Sequence, residues 1–220
     1  MKHNPLKGKK ILITAGPTWV LIDDVRVLSN VSSGELGMLL ARRARSLDMK
    51  VDLFLGPVGR VDTGGGITVS RFRFFNDLFE LTKTRLKRNS YDFILHAAAV
   101  SDYLCSAVAG KISSSNPGLV LKLSRAPKII ESMRRLNPKA FLVMFKLESN
   151  VSDSMLFKRS LEAMKKSKAD LVVANTFQGG HYKGFILGAQ NISARARSKK
   201  ELARELFKIL LLNYEPKLPT

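Results

Sequence analysis

The first candidate for chemistry is a long polar loop that follows the first apolar run of the chain. After Lys10–Ala15 the chain continues with Gly16-Pro17 and reaches Ser32-Ser33-Gly34-Glu35 about seventeen residues later. A plain strand-to-helix connection needs only a few residues, so a loop of this length indicates a function. Gly34 and Gly37 would let a phosphate group approach backbone N–H groups at a helix start, where the helix dipole favours negative charge.

The same turn also carries the signature of an ordinary helix start. Ser32 is expected to cap the helix, and Glu35 to close a capping box. An unoccupied, well-capped helix is therefore an alternative to a phosphate site, and local chemistry alone does not choose between them.

Other nucleotide-binding and catalytic motifs are absent from the sequence. There is no G-x-x-x-x-G-K-[ST] loop, no Gly-x-Ser-x-Gly, and no G-x-G-x-x-G after the first strand. The single cysteine, Cys105, excludes an intramolecular disulfide and a multi-cysteine zinc site, which fits a reducing compartment. His96 lies inside an apolar run and is interpreted as an interior histidine, since His3 and His181 form no ligand cluster with it.

The chain is strongly basic. It has 37 Lys+Arg against 18 Asp+Glu and a net charge of +19, which implies an anionic partner: nucleic acid, anionic lipid or small phosphorylated substrates. No apolar run approaches the ~20 residues that span a bilayer. The basic amino terminus leads into a strand-like run rather than a signal segment, so we expect a cytoplasmic protein without a membrane partner.

The elements that must position the polar loop alternate between strands and helices. Predicted strands lie at Lys10–Ala15, Lys50–Leu55, Ile67–Val69, Phe93–Val100, Phe141–Phe145 and Leu171–Ala174, and predicted helices near 34–48, 76–88, 152–167 and from Ser198. This order predicts an α/β fold, a three-layer sandwich with a Rossmann-like, mostly parallel sheet. Ligands of such sheets bind beyond the carboxyl ends of the strands.

Two segments interrupt the alternation within what we interpret as a single domain, 1–220. Residues 101–126 are predicted to form an extended arm or hairpin, and 176–197 a loop with short strands. The strand-like Leu119–Leu123 gives weak support to pairing between two copies of the chain. A frayed tail is expected at about 214–220.

Taken as an ordered set, the loop resembles the phosphopantothenoylcysteine synthetase family, the ligases of coenzyme A biosynthesis. Gly-Pro-Thr, Ile-Asp, Val-Arg, Ser-Asn and Ser-Ser-Gly follow one another in the family as they do between Gly16 and Gly34. Ala97–Tyr103 is similar to a second family signature, and Lys111–Ser114 resembles its lysine strap. Similar segments, within a resemblance over residues 8 to 212, are Ala126–Lys128, Pro138–Phe141, Phe145–Glu148 and Val172–Asn175.

The resemblance implies a ligase that uses CTP or ATP, with Mg²⁺, to activate the carboxylate of 4′-phosphopantothenate. An acyl-nucleotide and pyrophosphate would form, and the amine of L-cysteine would then displace the nucleotide. The resemblance also implies a homodimer, in which a strap at about 101–126 completes the neighbour's active site. Because the family's flavin-dependent decarboxylase half is not in this sequence, a separate phosphopantothenoylcysteine decarboxylase is the expected pathway partner.

The resemblance assigns roles to individual residues. Asn30 would contact the activated acyl group, Arg26 would hold a phosphate or carboxylate, and Lys111 would neutralise charge at the reacting phosphoryl group. No side chain is predicted to ligate a metal directly. The candidate nucleotide- and phosphate-binding residues are Gly16, Ser32, Ser33, Gly34, Ala98, Asp102, Phe145, which would line the base pocket, and Lys146 beside it.

The sequence also departs from the family pattern, which keeps two other functions open. Trp19-Val20 replaces a common Arg-Glu pair, and Lys165, Lys166 and Lys168 are shifted from the lysines that precede the Val-Ala-Asn strand. The choice between CTP and ATP is therefore open, and a diverged nucleotide-binding homologue with a regulatory role is the alternative. Binding of nucleic acid through general charge is a third hypothesis, without any recognised motif; aromatic residues interleave with arginine only at Arg71–Phe75.

Overall fold

The computed structural model describes residues 4–59, 62–115, 118–178, 181–189 and 192–213. Twelve strands and five helices occur in this part of the chain. In chain order they are β1 (Lys10–Ala15), β2 (Trp19–Leu21), β3 (Val27–Ser29), α1 (Glu35–Ser46), β4 (Lys50–Leu55), β5 (Ile67–Arg71), α2 (Phe75–Arg88), β6 (Phe93–His96), β7 (Tyr103–Cys105), β8 (Leu123–Arg125), α3 (Ile129–Leu136), β9 (Phe141–Ser149), α4 (Asp153–Ser167), β10 (Leu171–Gln178), β11 (His181–Leu187), β12 (Ile192–Ala196) and α5 (Lys199–Asn213).

One eight-stranded sheet forms the centre, in the order β12-β11-β10-β9-β6-β1-β4-β5. The strands from β10 to β5 in that order are parallel to one another. Strand β11 is antiparallel to both of its neighbours, β10 and β12. Apolar residues of α1 and α5 pack on one face of the sheet. Those of α2, α3 and α4 pack on the other. The predicted three-layer, mostly parallel α/β sandwich is confirmed.

The predicted helices agree with α1, α2, α4 and α5 to within two residues at the ends that were specified. Helix α3 was not predicted from the sequence, although Ile129 and Met133 on its inner face are almost completely buried. None of the described helices is both long and apolar enough to cross a bilayer. The predicted tail at 214–220 lies outside the described residues.

The prediction of a loop with short strands at 176–197 was right about the strands and wrong about the loop. Strand β10 continues to Gln178, and β11 and β12 extend the main sheet instead of forming a loop. Exposed polar residues at the start of β11, such as His181 and Lys183, concealed this extension, because strands near a sheet edge can face solvent. Phe185 and Ile186 are both buried, on opposite faces of β11: Phe185 packs on the α4 side of the sheet and Ile186 on the α1 and α5 side.

The run Phe93–Val100 was also predicted as one continuous strand, but β6 ends at His96. Beyond that residue the chain leaves the sheet alignment and pairs with the segment after β1. The backbone N–H of Ala99 donates to the carbonyl of Gly16 at 2.9 Å, and the N–H of Thr18 donates to the carbonyl of Ala99 at 3.3 Å. Four small or branched apolar residues therefore mark a half-buried loop, not the end of a buried strand.

Two small hairpins stand outside the main sheet. Strands β2 and β3 pair within the long loop after β1, and β7 pairs antiparallel with β8. The second hairpin confirms the predicted arm at 101–126. Leu119 and Val120, predicted as part of a strand, have no regular structure, and Val120 is 94% exposed. Pairing of this segment with a second copy stays a prediction.

Asp23 joins the loop after β1 to the arm. Its side chain is completely buried and accepts hydrogen bonds from the backbone N–H groups of Val25, Arg26 and Ile112, at 2.9, 2.7 and 3.1 Å. The Arg26 guanidinium donates to Asp23 at 3.1 Å and to the carbonyl of Ile112 at 3.0 Å. Burial raises the pKa of Asp23, but these donors together outweigh it and leave the pKa below its ordinary value.

A first prediction concerns the contact between α1 and β1. A Cβ on Gly37 would clash with the Ala15 side chain and lie 3.1 Å from its Cα, whereas a Cβ on Gly59 would meet nothing within 4 Å. We expect Gly37→Ala to lower the free energy of unfolding by roughly 1–3 kcal/mol, since overpacking forces the helix away from the strand. Urea unfolding measures this, with Gly59→Ala as control; equal stability of both variants would contradict the packing argument.

A second prediction concerns Asp23. Because its folded pKa is depressed, its contribution to stability is present above its unfolded pKa and is lost as the pH falls through the folded value. We expect Asp23→Asn to lower the protection factors of the Val25, Arg26 and Ile112 amides at neutral pH, and acidification to lower the same protection factors, taken relative to the intrinsic rate at each pH, in the unmodified protein. Mass-spectrometric exchange measures this, with exposed Asp153→Asn as control. Unchanged exchange in Asp23→Asn would contradict the anchoring role.

Candidate functional site

The candidate site lies at the carboxyl end of the parallel strands, where the loop after β1, the segment after β6 and the start of α1 meet. Gly16 and Gly34 both have positive φ, at 80° and 70°. A Cβ on Gly34 would lie 3.3 Å from the Gly16 nitrogen and 3.2 Å from Val58. The two glycines therefore let the start of α1 approach the end of β1 closely, as the predicted phosphate-binding turn requires.

The turn itself differs from the predicted capping box. Gly34 is the cap residue of α1, and no side chain caps it. Instead Ser32 Oγ accepts from the N–H of Gly34 at 3.3 Å, and Ser33 Oγ accepts from the N–H of Glu35 at 3.4 Å. Glu35 turns away and forms a 2.6 Å salt bridge with Lys199 at the start of α5. The prediction that Ser32 and Glu35 form a reciprocal box was wrong.

Asn30 lies over the segment after β6. Its Nδ2 donates to the carbonyls of Ala99 and Val100, at 3.4 and 3.1 Å, and the residue is exposed. Ala98 lies below, its N–H donating to Thr14 Oγ1 at 3.1 Å. Asp102, which is also exposed, forms a 2.5 Å salt bridge with Lys128. Asn30, Ala98 and Asp102 were predicted site residues, and the structure gathers them at one place.

Arg26 and Lys111 lie at the turn of the β2–β3 hairpin, where the Asp23 anchor holds the arm. Two nitrogens of the Arg26 guanidinium donate to protein acceptors and thereby hold the arm against the loop. Only its remaining N–H groups can donate to a ligand. Lys111 directly precedes Ile112, which Asp23 and Arg26 bind from both sides. Lys111 is exposed, and within the described part of the chain it makes no salt bridge. Its ammonium is therefore available to an anionic ligand.

Phe145 shares its face of the sheet with a residue that sequence reasoning passed over. Phe145 packs with the α1 and α5 side of the core, and by strand alternation Asn175 and Phe177 lie on that same side. Asn175 is only 9% exposed; among the described residues its Oδ1 meets no donor in good geometry, and its side chain contacts the buried hydroxyl of Tyr182. A buried amide oxygen left unpaired is rare in folded proteins. The Val-Val-Ala-Asn run was the available signal, but it is weak by itself.

Lys146 does not join Phe145, because neighbouring strand residues point to opposite faces. It lies on the α4 face and forms a 3.1 Å salt bridge with Glu148, which also binds Arg159 at 2.8 Å. Burial raises the pKa of Glu148, but the hydrogen bonds from Lys146 and Arg159 outweigh this effect and leave the pKa below its ordinary value. Lys146, Glu148 and Arg159 thus form an ionic cluster beside the site; Arg159 was not predicted.

His96 is a neutral neighbour of the site. Its Nδ1 lies 2.8 Å from Thr14 Oγ1, and burial lowers the pKa of the imidazole to about 4. This agrees with the interpretation of His96 as an interior residue that positions the strand end. In contrast, Lys165 and Lys166 lie in the last turn of α4 and Lys168 caps its end before β10, so all three are at the opposite edge of the sheet. They do not reach this site within one chain.

The assembled edge therefore offers a glycine-lined helix start, an exposed amide at Asn30 and a half-buried aromatic at Phe145, and the exposed Lys111 lies on the arm nearby, where the arm contacts the β2–β3 hairpin. Helix N–H groups and ammonium groups bind phosphate, and an aromatic ring with an unpaired amide oxygen suits a planar base. The arrangement can hold a phosphorylated, base-containing ligand beside a group that donates hydrogen bonds to an acyl oxygen.

The chain resembles known proteins along almost its entire length. It is 33% identical over 210 residues to a coenzyme A biosynthesis bifunctional protein CoaBC from Thermococcus kodakarensis; the match covers 92% of this chain and 51% of that protein. The chain thus spans about half the length of the curated relatives it matches.

Solved structures agree in fold. A DNA/pantothenate metabolism flavoprotein from Streptococcus pneumoniae superposes with a TM-score of 0.84 at 25% identity, covering 94% of this chain and all of that one. The C-terminal domain of a CoaBC protein gives 0.77 at 26% identity, with 96% and 97% covered. The family model of the DNA/pantothenate metabolism flavoprotein C-terminal domain matches residues 6–212. The chain therefore belongs to this family, the family of the phosphopantothenoylcysteine synthetases that its motifs resemble.

Proposed function

We propose that the protein is a phosphopantothenate–cysteine ligase that works through an acyl-nucleotide. The observation that carries the proposal is the convergence of Asn30, Ala98, Asp102 and the Gly16–Gly34 turn at one sheet edge, where the family motifs require them. The family relationship to CoaBC proteins supports a ligase role in coenzyme A biosynthesis.

In the proposed reaction the carboxylate of 4′-phosphopantothenate attacks the α-phosphorus of CTP or ATP. The bond between the α-phosphorus and the bridging oxygen breaks, and pyrophosphate leaves. The amine of L-cysteine then attacks the acyl carbon, forms the amide bond and loses a proton, while the nucleoside monophosphate leaves. Mg²⁺ enters as part of the nucleotide substrate.

The residues have separate tasks in this proposal. The Ser32–Gly34 turn and the start of α1 bind phosphate, and Lys111 neutralises charge at the reacting phosphoryl group. The contact of Asn30 Nδ2 with the Ala99 carbonyl is long, at 3.4 Å, so a negatively charged acyl oxygen can replace it with a stronger, charge-assisted bond. Phe145 and Asn175 would contact the base. Arg26 positions the arm and offers its remaining donor to a phosphate or carboxylate.

The wider setting is part of the same proposal. A homodimer would bring the arm of one copy to the other's site; exposed apolar residues of the arm and of the first hairpin, such as Val120, Val108 and Val31, support this. A separate phosphopantothenoylcysteine decarboxylase would act next in the pathway, and we place the protein in the cytoplasm.

A third prediction tests the activity. Incubation with phosphopantothenate, cysteine, Mg²⁺ and either CTP or ATP should release pyrophosphate, and the two arms measure nucleotide preference. We expect Asn30→Ala and Lys111→Ala each to lower kcat by about 10²-fold or more, because transition-state charge loses a donor or a cation. Lys200→Ala, an exposed lysine on α5, is the control. Absence of pyrophosphate with every triphosphate would refute the ligase.

A fourth prediction tests the base pocket. We expect Asn175→Leu to raise the KM for the nucleotide about tenfold, by the loss of about 1.4 kcal/mol of binding, with little change in the KM for phosphopantothenate. Thr176→Val is the matched control, because its Oγ1 is also unpartnered but lies on the opposite face of β10. Equal effects of the two variants would exclude Asn175 as a base contact.

A further inference from the structure

A second basic groove lies at the amino ends of the strands, at the other edge of the sheet from the candidate site. Its cavity has a volume of about 630 Å³, and its walls come from the starts of β1 and β4, the end of α1 and the loop before β5. A neighbouring cavity of about 400 Å³ shares Arg45 and Asp48 with it and extends along the Gly-rich loop at Gly64-Gly65. None of these residues takes part in the proposed ligase reaction.

Two lysines in this groove lie opposite each other, and no carboxylate among the described residues forms a salt bridge with either of them. Lys10 and Lys50 are register partners on the adjacent strands β1 and β4, so their side chains start from the same face of the sheet. Both residues are exposed, and no salt bridge joins either ammonium to any carboxylate of the described residues. Like charges directly opposite each other on neighbouring strands are destabilising, and a bound anion would relieve this repulsion.

The carboxylates of the groove are already engaged. Asp52, on the same face as Lys50, receives a 3.4 Å salt bridge from Arg85 and a short hydrogen bond from the Tyr91 hydroxyl. Asp48 lies 3.8 Å from Arg45. The Arg45 guanidinium rests against Gly66, where any Cβ would clash with it. The absence of a side chain at Gly66 thus lets Arg45 lie along the groove wall, and the net charge of the lining is positive.

From this arrangement we infer that the groove is a second anion site, which binds the phosphate group of a small phosphorylated molecule between Lys10 and Lys50. Arg45 lines the same cavity from the end of α1, on the other face of the sheet. The cavity is much larger than one phosphate group, so it has room for an organic substituent. The site is independent of the proposed ligase activity, because its residues and its sheet edge are different.

The test is titration of the ¹⁵N-labelled protein with inorganic phosphate and, in a separate arm, with glycerol 3-phosphate, at 150 mM NaCl. NMR assigns each shift to one edge of the sheet. We expect saturable shifts at the amides of residues 10, 48–52 and 64–68, and at least tenfold weaker binding there in Lys10→Gln/Lys50→Gln. Tighter binding of the monoester than of free phosphate would identify a phosphorylated metabolite as the ligand, and the reverse would identify inorganic phosphate.

Lys158→Gln/Lys200→Gln is the matched control, since it removes the same charge from two exposed helix positions. It should bind at the groove as the unmodified protein does. Without phosphate, Lys10→Gln/Lys50→Gln should have a Tm equal to or above that of the unmodified protein, and phosphate should no longer raise it. Shifts that do not saturate, or that persist unchanged in the double variant, would overturn the proposal, whereas ligase activity is expected in every variant.

Discussion

The structure depends on a series of hydrogen bonds that extends the pairing of β1 and β6 beyond the ends of both strands. Ala97 N–H donates to the Thr14 carbonyl at 3.2 Å, and Ala98 N–H donates to Thr14 Oγ1 at 3.1 Å. Ser101 N–H donates to Thr18 Oγ1 at 2.9 Å. Threonine hydroxyls thus continue a ladder that backbone carbonyls began. These bonds hold the loop after β1 against the segment after β6. That segment accepts the hydrogen bonds of Asn30 and carries Asp102.

A second consequence of the sheet is the separation of charges by face. On β9 the aromatic Phe145 packs toward α1 and α5, while Lys146 and Glu148 face α4 and pair with each other and with Arg159. A ligand that stacks on Phe145 therefore meets the apolar side of the strand and the amide of Asn175. The ionic cluster, with Glu148 held as a carboxylate, stabilises the end of the strand instead.

The structure shows where some of the basic residues behind the net charge of +19 lie. Part of it compensates carboxylates, as Lys199 does for Glu35 and Arg134 for Asp170. Another part is concentrated at the two edges of the sheet: Lys111 on the arm beyond the carboxyl edge, Lys10 and Lys50 at the amino edge. A third group, Lys165, Lys166 and Lys168, lies at the end of α4, on the far side from the candidate site. These lysines are close in sequence to β10, which carries the Val-Val-Ala-Asn run, but they are far from the candidate site. The reason is that β10 begins at one edge of the sheet and reaches the candidate site at the other.

The sequence by itself determined the α/β class, the positions of four helices and most parallel strands, and the family, since apolar periodicity and ordered motifs are local properties of the chain. Only the tertiary structure decided that β6 stops at His96, that 176–197 extends the sheet, and that Glu35 binds Lys199 rather than closing a capping box. Each of these outcomes is a choice between a local partner and a distant one. The unpaired oxygen of Asn175 and the opposed Lys10 and Lys50 likewise became visible only when strands far apart in sequence were placed side by side.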